Sequence, residues 1–260
     1  MVTAKVVVRF FIKVLANFCK LICIAIHPFA PTIRFKLPSK SPALWSTASN
    51  PLVPRVIWQT NYTNKVHLAV YLNYLFNRLM APSFEYHFVS SEGRRDFILE
   101  AYGGAYTDLY DQLQIGAAQA DFWRVLVIHK IGGVYLDIDA HFVWPAELLI
   151  DAEFDELFIE IKTGEISNYF IASAPSNPNL DAVVKEIVRG IAEGTSKDVY
   201  GLTGPGVFNR VLRKSLLNTS YYAYTVNQGN FTNEKFQYID KPQGKWTREQ
   251  HQISVIRPPR

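Results

Sequence analysis

The chain has 260 residues, of which 48% are hydrophobic and 14% aromatic. This is enough for one sizeable core, and the sequence contains no low-complexity segment. The net charge is +4, but no Asp or Glu precedes Glu85, whereas ten Lys or Arg do. Such an asymmetry indicates that the N-terminal part meets an anionic surface. We predict no nucleic-acid partner, because no nucleic-acid-binding motif accompanies the charge.

Residues 5–33 are strongly apolar, with polar residues at intervals of three or four that fall on one face of a helix. These polar residues are Lys5, Arg9, Lys13, Asn17 and Lys20. The longest uncharged run, 21–33, is shorter than the roughly 20 apolar residues of a membrane span. We therefore predict that residues 1–36 form an amphipathic helix on an acidic membrane leaflet, at the cytoplasmic face. The alternatives are a signal anchor that spans the membrane once and a helix packed on the globular domain.

The two cysteines, Cys19 and Cys23, lie four residues apart on this helix. This spacing does not allow an ordinary disulfide within a helix. The rest of the chain has no cysteine, which excludes a disulfide framework and a cysteine-based zinc site there. Cysteine usage thus mildly favours a reducing compartment.

Prolines and serines predict a linker over residues 37–53, followed by a globular domain over 54–260. The first elements of this domain alternate between strand and helix. They are a strand at 55–60, a helix at 65–80, a strand at 84–90 and a helix at 92–102. This alternation is typical of an α/β sheet that binds ligands at the carboxyl ends of its strands. Trp58, near the end of the first strand, is placed either to meet a nucleotide base or to pack in the core.

The helix predicted over residues 117–131 is apolar almost all round, which indicates that it is buried. Asp121 and Arg124 lie three residues apart on it and therefore share a face. Charges on so apolar a helix must pair with each other or hold a ligand, because an unpaired buried charge is costly.

Gly132 and Gly133 end this helix, and residues 134–140 alternate with period two, as in a half-buried strand. The alternation places Asp137 and Asp139 on the same side, roughly 7 Å apart. Two such carboxylates repel each other, so we expect a divalent cation or a group of hydrogen-bond donors beside them.

The sequence ADxxR followed by IGGVYLDID resembles the DXD sugar-binding region of retaining glycosyltransferases. The group it resembles contains the yeast initiating α-1,6-mannosyltransferase and bacterial capsule and lipopolysaccharide enzymes. PRVIWQT, at residues 54–60, is similar to the opening strand of this family, and residues 203–205 resemble its later TGP motif. The resemblance extends over residues 52–215.

The resemblance implies a GT-A fold, which is a Rossmann-like α/β domain around a mostly parallel sheet, and a nucleoside-diphosphate sugar as donor. It also implies that Asp139 binds Mn²⁺ or Mg²⁺ at the diphosphate and that Asp137 supports the metal and the ribose. Asp121 and Arg124 would grip sugar hydroxyls.

The resemblance implies that Tyr135, Gly132 and Gly133 shape the sugar pocket. It also places Asn168 by the donor sugar, although Asn168 could equally be a plain polar residue at a strand end. The remaining candidates for substrate binding are Trp58 and Gln59, near the end of the first strand. In GT-A enzymes a C-terminal residue commonly completes the metal site, and His251 is the best positional candidate, with Asp240 behind it.

We therefore predict a metal-dependent, retaining glycosyltransferase on a membrane surface. Its acceptor would be a glycan or glycolipid in surface polysaccharide or lipopolysaccharide synthesis. Two alternatives remain at this point. One is a metal-dependent hydrolase or nucleotidyl-transfer enzyme that uses the same carboxylates, and the other is a non-catalytic, membrane-bound glycan-binding module.

Overall fold

The computed structural model describes residues 2–46, 51–241 and 243–257. The strands in these ranges are β1 (Phe35–Lys36), β2 (Lys40–Ser41), β3 (Val56–Thr60), β4 (Lys65–Val66), β5 (Glu85–Val89), β6 (Gly133–Leu136), β7 (Ala140–Phe142), β8 (Glu156–Glu160), β9 (Ile166–Ser173), β10 (Thr219–Tyr221) and β11 (Val226–Gln228). The α-helices are α1 (Val2–Ile26), α2 (Leu68–Met80), α3 (Ser91–Tyr102), α4 (Gly104–Gln112), α5 (Gly116–Ile131), α6 (Ala146–Leu149), α7 (Pro178–Glu193), α8 (Val199–Leu202), α9 (Pro205–Val211), α10 (Tyr222–Thr225), α11 (Glu234–Gln237) and α12 (Trp246–Glu249).

Seven strands of the described part of the chain form a central sheet in the order β10-β8-β9-β6-β3-β5-β2. The predicted α/β class is confirmed, but the sheet is mixed rather than mostly parallel. β3 lies parallel to β5 and β6, and β10 lies parallel to β8, whereas β9 and β2 run antiparallel to their neighbours. β8 and β9 pair antiparallel because the short connection between them cannot accommodate a parallel crossover.

Two hydrophobic clusters cover the two faces of this sheet. The period-two pattern of β6 divides it between them: Val134 and Leu136 lie in one cluster and Tyr135 in the other. Helix α5 lies in the same cluster as Tyr135, and residues 121–128 are all buried. The prediction of a buried helix before the acidic pair is therefore confirmed.

The strand predicted through residue 140 is wrong in its second half. β6 ends at Leu136, and the amide of Asp137 donates instead to the carbonyl of Tyr169 at 2.9 Å. The amide of Ala140 then donates to the carbonyl of Asp137 at 2.9 Å, which closes a turn. The two acidic residues thus lie on the turn between β6 and β7, and β7 pairs antiparallel with β11.

The N-terminal helix is present as α1 and packs against the body of the protein. Its buried Cys23 contacts a small cluster with Ala69 and Phe236, and both cysteines are free thiols. The opposite side of α1 leaves large apolar side chains exposed. These are Val6, Val7, Phe10, Phe11, Val14, Leu15, Phe18, Leu21, Ile22, Ile24 and Ile26. None of the described helices has the length and apolar character needed to cross a membrane.

Part of the predicted linker belongs to the folded domain. Leu37 is fully buried, and β2 adds an antiparallel edge strand to β5. The proline-rich composition did not reveal this short strand. Residues 47–50, also within the predicted linker, lie outside the described residues. The division of the chain at residues 36 and 53 stays a prediction.

Candidate functional site

The carboxyl ends of β3 and β6 open into a cavity of about 690 Å³. It lies between the residues that follow β3, helix α5, the acidic turn and the segment after β11. Six of the residues that the sequence singled out meet at its wall. They are Asp121, Arg124, Tyr135, Asp137, Asp139 and Asn168.

Asp121 and Arg124 form a buried ion pair at the floor of this cavity. Nη2 of Arg124 lies 3.0 Å from Oδ1 of Asp121, and both side chains are almost fully buried. Asn168 contacts both partners. Its side-chain Nδ2 donates to Oδ1 of Asp121 at 3.0 Å, and its backbone carbonyl accepts from Nη1 of Arg124 at 2.8 Å. Thr203 donates to the other oxygen of Asp121 at 3.4 Å. The predicted pair is thus held rigidly by two further elements.

Arg124 also links this pair to the acidic turn. Its Nη2 lies 3.2 Å from Oδ1 of Asp137, and its guanidinium carbon lies 4.3 Å above the ring centroid of Tyr135. The hydroxyl of Tyr135 donates to the same oxygen of Asp137 at 2.7 Å. Oδ1 of Asp137 is therefore engaged by two protein donors, the guanidinium of Arg124 and the hydroxyl of Tyr135.

Asp137 and Asp139 converge on one side chain that the sequence did not indicate. Nε2 of Gln228 donates to Oδ2 of Asp137 at 3.2 Å and to Oδ1 of Asp139 at 2.9 Å. The backbone amide of Gly229 donates to the carbonyl of Asp139 at 2.9 Å. The segment after β11 thus closes over the acidic turn.

The pKa values of the buried carboxyl groups reflect their crowding. Burial raises the pKa of Asp139 to about 7, and the charge of Asp137 adds to the rise. Burial also raises the pKa of Asp121 to about 6, although Arg124 opposes the shift. A cation beside Asp139 would favour its ionised form, because an opposite charge at short range offsets the cost of desolvation.

The donor set fits a hard divalent cation. Two carboxylates converge on the terminal amide of Gln228, whose oxygen and nitrogen exchange places by a simple rotation. Mg²⁺ is commonly bound by one or two carboxylates together with substrate phosphates, and Mn²⁺ prefers the same oxygen ligands. Residues 2–46, 51–241 and 243–257 contain no group of three or more His, Cys, Asp or Glu placed to hold a metal. The two carboxylates beside Gln228 match the number of protein ligands that Mg²⁺ takes when phosphate oxygens and water supply the rest.

Trp58 does not line the cavity. Its indole packs in the core against Trp123, and Nε1 donates to the carbonyl of Gly132 at 3.1 Å. Of the two placements that the sequence left open for Trp58, the structure has core packing rather than contact with a base. The residues that line the cavity at this edge are those at the strand's end and just beyond it, Thr60, Asn61 and Tyr62.

Gln59, Gly132 and Gly133 also lie behind the cavity wall rather than in it. Gln59 donates to the carbonyl of Asp137 at 3.0 Å and thereby fixes the start of the acidic turn. Gly133 has φ of 102°, and a Cβ there would lie 2.6 Å from the carbonyl oxygen of Val56. These residues position the site through the backbone, and none of them is placed to contact a ligand directly.

His251 is not brought to the acidic pair. It is exposed on a turn after α12 and does not line the cavity. Asp240, the second candidate, is held by the guanidinium of Arg34 in an ion pair at 2.5 Å. The resemblance predicted a C-terminal partner for the acidic pair, and the structure places Gln228 there instead.

Two cavity residues beyond Gln228 were missed by sequence reasoning. Lys20 reaches the cavity from α1, and Arg94 reaches it from α3. Arg94 is buried and is bonded to the hydroxyls of Tyr110, Thr60 and Ser91. The sequence assigned Lys20 to the polar face of the N-terminal helix rather than to the site, and Arg94 belongs to no motif that indicated it.

Comparison with known proteins agrees with this geometry. Residues 48–155 match the family described as "Glycosyltransferase sugar-binding region containing DXD motif". The chain is 24% identical over 251 residues to the "Initiation-specific alpha-1,6-mannosyltransferase" of Schizosaccharomyces pombe, covering 83% of this chain and 59% of that protein. It is 27% identical over 137 residues to "Inositol phosphoceramide mannosyltransferase 3" of the same organism, covering 53% and 38%. The chain thus spans less than two thirds of the length of these relatives.

The fold has a solved counterpart. The structure of "PaToxG Glycosyltransferase" superposes with a TM-score of 0.53 and 20% sequence identity, covering 63% of this chain and 69% of that one. This likeness supports a GT-A-like fold. The resemblance noted in the sequence is therefore confirmed: the chain is similar to the DXD-containing glycosyltransferases, and its residues 48–155 match their sugar-binding region.

Proposed function

We propose that this protein is a metal-dependent, retaining glycosyltransferase. It moves a sugar from a nucleoside-diphosphate sugar to a glycan or glycolipid at a membrane surface, in surface polysaccharide or lipopolysaccharide synthesis. The observation that carries the proposal is the meeting of two sites at one cavity. The acidic pair with Gln228 lies beside the buried Asp121–Arg124 ion pair, and Arg124 bridges them.

The acidic turn is suited to the diphosphate of the donor. Asp137 and Asp139 would hold Mn²⁺ or Mg²⁺, and the amide oxygen of Gln228 would complete the protein ligands. The bound ion would supply Lewis-acid stabilisation of the leaving diphosphate. Tyr135 and Arg124 keep Asp137 oriented, which reserves its second oxygen for the ion.

The buried ion pair is suited to the sugar. Asp121 accepts hydrogen bonds from several protein groups, and Arg124 has donors directed at carbonyl and carboxylate oxygens. A sugar hydroxyl can donate to Asp121 and accept from Arg124 at the same time. Asn168, which contacts both residues, would set the position of the pair against the sugar ring.

Retention of configuration is supported by the absence of an unengaged base. Four carboxylate residues of the described chain line the cavity: Asp121, Asp137, Asp139 and Glu234. The first three have roles above, and Glu234 is paired with Arg248. An inverting enzyme needs a free base behind the anomeric carbon. We therefore expect the leaving phosphate oxygen to take the acceptor's proton on the same face.

A membrane-borne acceptor is supported by the position of α1. The helix exposes its apolar residues on one side and contributes Lys20 to the cavity on the other. Helix α1 therefore lies between the cavity and the surface that would rest on a lipid leaflet. We propose peripheral attachment at the cytoplasmic face.

A panel of nucleoside-diphosphate sugars, tested by thermal shift with and without Mn²⁺, addresses the proposal directly. The cognate donor should raise the melting temperature only when Mn²⁺ is present, because a ligand that binds the folded state stabilises it. Proton NMR of the product should then show an α-linkage from an α-linked donor. A protein that binds no donor in the panel, or one that forms a β-linkage, contradicts the proposal.

A further inference from the structure

Helix α1 is hydrogen-bonded to residues 227–229, the segment that closes over the acidic turn. Nε of Arg9 donates to Oδ1 of Asn227 at 3.2 Å, and Nζ of Lys20 donates to the carbonyl of Gly229 at 3.1 Å. Gln228 lies between these two points. The helix thus holds the residues on either side of the side chain that faces Asp137 and Asp139.

The opposite side of the same segment is fixed by the acidic turn. β11 pairs with β7 so that Gln228 lies opposite Ala140, and the amide of Gly229 donates to the carbonyl of Asp139 at 2.9 Å. Residues 227–229 are therefore held between α1 and the turn. A shift of α1 cannot leave the position of Gln228 unchanged unless these hydrogen bonds break.

The two contacts from α1 are charge-assisted and directional. Hydrogen bonds from charged donors are shorter and stronger than neutral ones, and they fix orientation better than apolar packing does. Both are partly buried, and Arg9 also lies over the ring of Tyr222 at 5.5 Å. An ordinary amphipathic helix keeps its basic residues in water or at lipid headgroups. Arg9 and Lys20 instead bond to the protein beside its acidic turn.

We propose that Arg9 and Lys20 are positioning residues of the cation site. Through Asn227 and Gly229 they hold Gln228 against the carboxylates, so α1 is part of the site as well as a membrane-facing element. This inference rests on the proposed cation at Asp137 and Asp139. It adds that the affinity for the cation depends on the N-terminal helix even in the absence of a membrane.

The test measures Mn²⁺ binding to the full chain by electron paramagnetic resonance, with Mn²⁺ alone and with added GDP or UDP. Arg9→Ala and Lys20→Ala should each weaken Mn²⁺ binding by about tenfold, the lower end of the range for groups that orient metal ligands. Lys20→Arg, which keeps a charged donor, should retain most of the affinity. Lys13→Ala is the matched control, because Lys13 is an exposed basic residue of the same helix, and it should bind as the wild type does.

A double-mutant cycle separates positioning from a general loosening of the fold. If α1 acts through Gln228, Lys20→Ala should have little further effect once Gln228→Ala is present. An equal loss in both backgrounds, or unchanged affinity in Arg9→Ala and Lys20→Ala, overturns the inference. Failure of the proposed function gives a different result, since the wild type itself would then bind no Mn²⁺ with or without nucleotide.

Discussion

The two halves of the site are built in different ways. The proposed sugar side, Asp121 and Arg124, comes from one buried helix and is braced by Asn168 and Thr203. The proposed cation side brings together the acidic turn and Gln228, which lies 89 positions after Asp139 in sequence. The first half is set by local sequence and a packed core, whereas the second depends on the docking of distant segments. The predictions below test this difference.

The largest effect is expected at the cation side. Asp139→Asn removes a charged oxygen ligand and keeps the shape, so kcat should fall by roughly 10²–10³-fold, as for the loss of a key electrostatic group. Excess EDTA should reduce the wild type to a similar rate. The measurement is sugar transfer at saturating donor, with His251→Ala as control, because His251 lies away from the acidic pair. Full turnover of the wild type in excess EDTA would show that the reaction does not need a metal ion.

On the sugar side, Asp121→Asn should separate chemistry from nucleotide binding. The asparagine cannot balance the charge of Arg124, so we expect sugar transfer to fall by about 10²-fold. Affinity for the nucleoside diphosphate should stay within about twofold, because in the proposed arrangement Asp121 contacts the sugar and not the phosphates. Calorimetry with the diphosphate decides between these roles. Asp108→Asn, at an exposed residue, is the control and should bind the diphosphate as the wild type does. Much weaker binding of the diphosphate to Asp121→Asn alone would show that Asp121 contacts the nucleotide.

This contrast also explains what could be predicted from the sequence. Asp121 and Arg124 were found because a spacing of three on an apolar helix leaves few structural options. The sequence predicted the acidic pair correctly but placed it on a strand instead of a turn. The reason is that the alternation of residues 134–140 continues past Leu136, where β6 ends. Gln228 carries no signal of its own, since its position depends on the pairing of β11 with β7.

The same limit applies to the N-terminal helix. Its existence and its apolar surface followed from the periodicity of residues 5–20. Which polar residues face the protein did not, because Arg9 and Lys20 meet partners more than 200 positions away. His251 was proposed by position alone, and the chain places it on an exposed turn.

The proposed membrane contact of α1 can be tested without disturbing the fold. Deletion of residues 1–40 would remove buried Cys23 and Leu37, so a point substitution is cleaner. Phe18, which is 61% exposed, can be changed to Glu; this should release the protein from vesicles of anionic lipid, because it places a negative charge on the apolar face. Flotation measures the bound fraction. Leu216→Glu, at an apolar residue outside α1 that is 74% exposed, should remain bound, and equal release of both variants would place the contact elsewhere.

The smallest effect concerns the junction of α1 and α2 in acid. Burial lowers the pKa of His67 to about 4, below the value near 6.5 of an unfolded chain. Folding thus favours the neutral form of His67. The contribution of this group to the free energy of unfolding is complete above about pH 6.5 and is lost as the pH falls toward 4. His67 caps α2 through Ala69 and stacks on Phe236.

His67→Asn keeps a capping side chain and cannot gain a proton. Its free energy of unfolding should therefore fall less than that of the wild type between pH 6.5 and 4, by about 2–3 kcal/mol. Urea unfolding at each pH gives this difference. His251→Asn, an exposed histidine, should follow the wild-type curve, and a His67→Asn curve parallel to the wild type would exclude the junction as the acid-sensitive element.

In the proposed site, Asp137, Asp139 and Gln228 bind a divalent cation together with a nucleoside diphosphate. The most direct measurement is calorimetric titration of the wild type with the diphosphate of the cognate donor, in Mn²⁺ and again in excess EDTA. We expect the wild type to bind the diphosphate at least tenfold more tightly in Mn²⁺ than in EDTA. Asp139→Asn should bind it with the same affinity under both conditions. Equal affinity of the wild type in Mn²⁺ and in EDTA would contradict the proposed site.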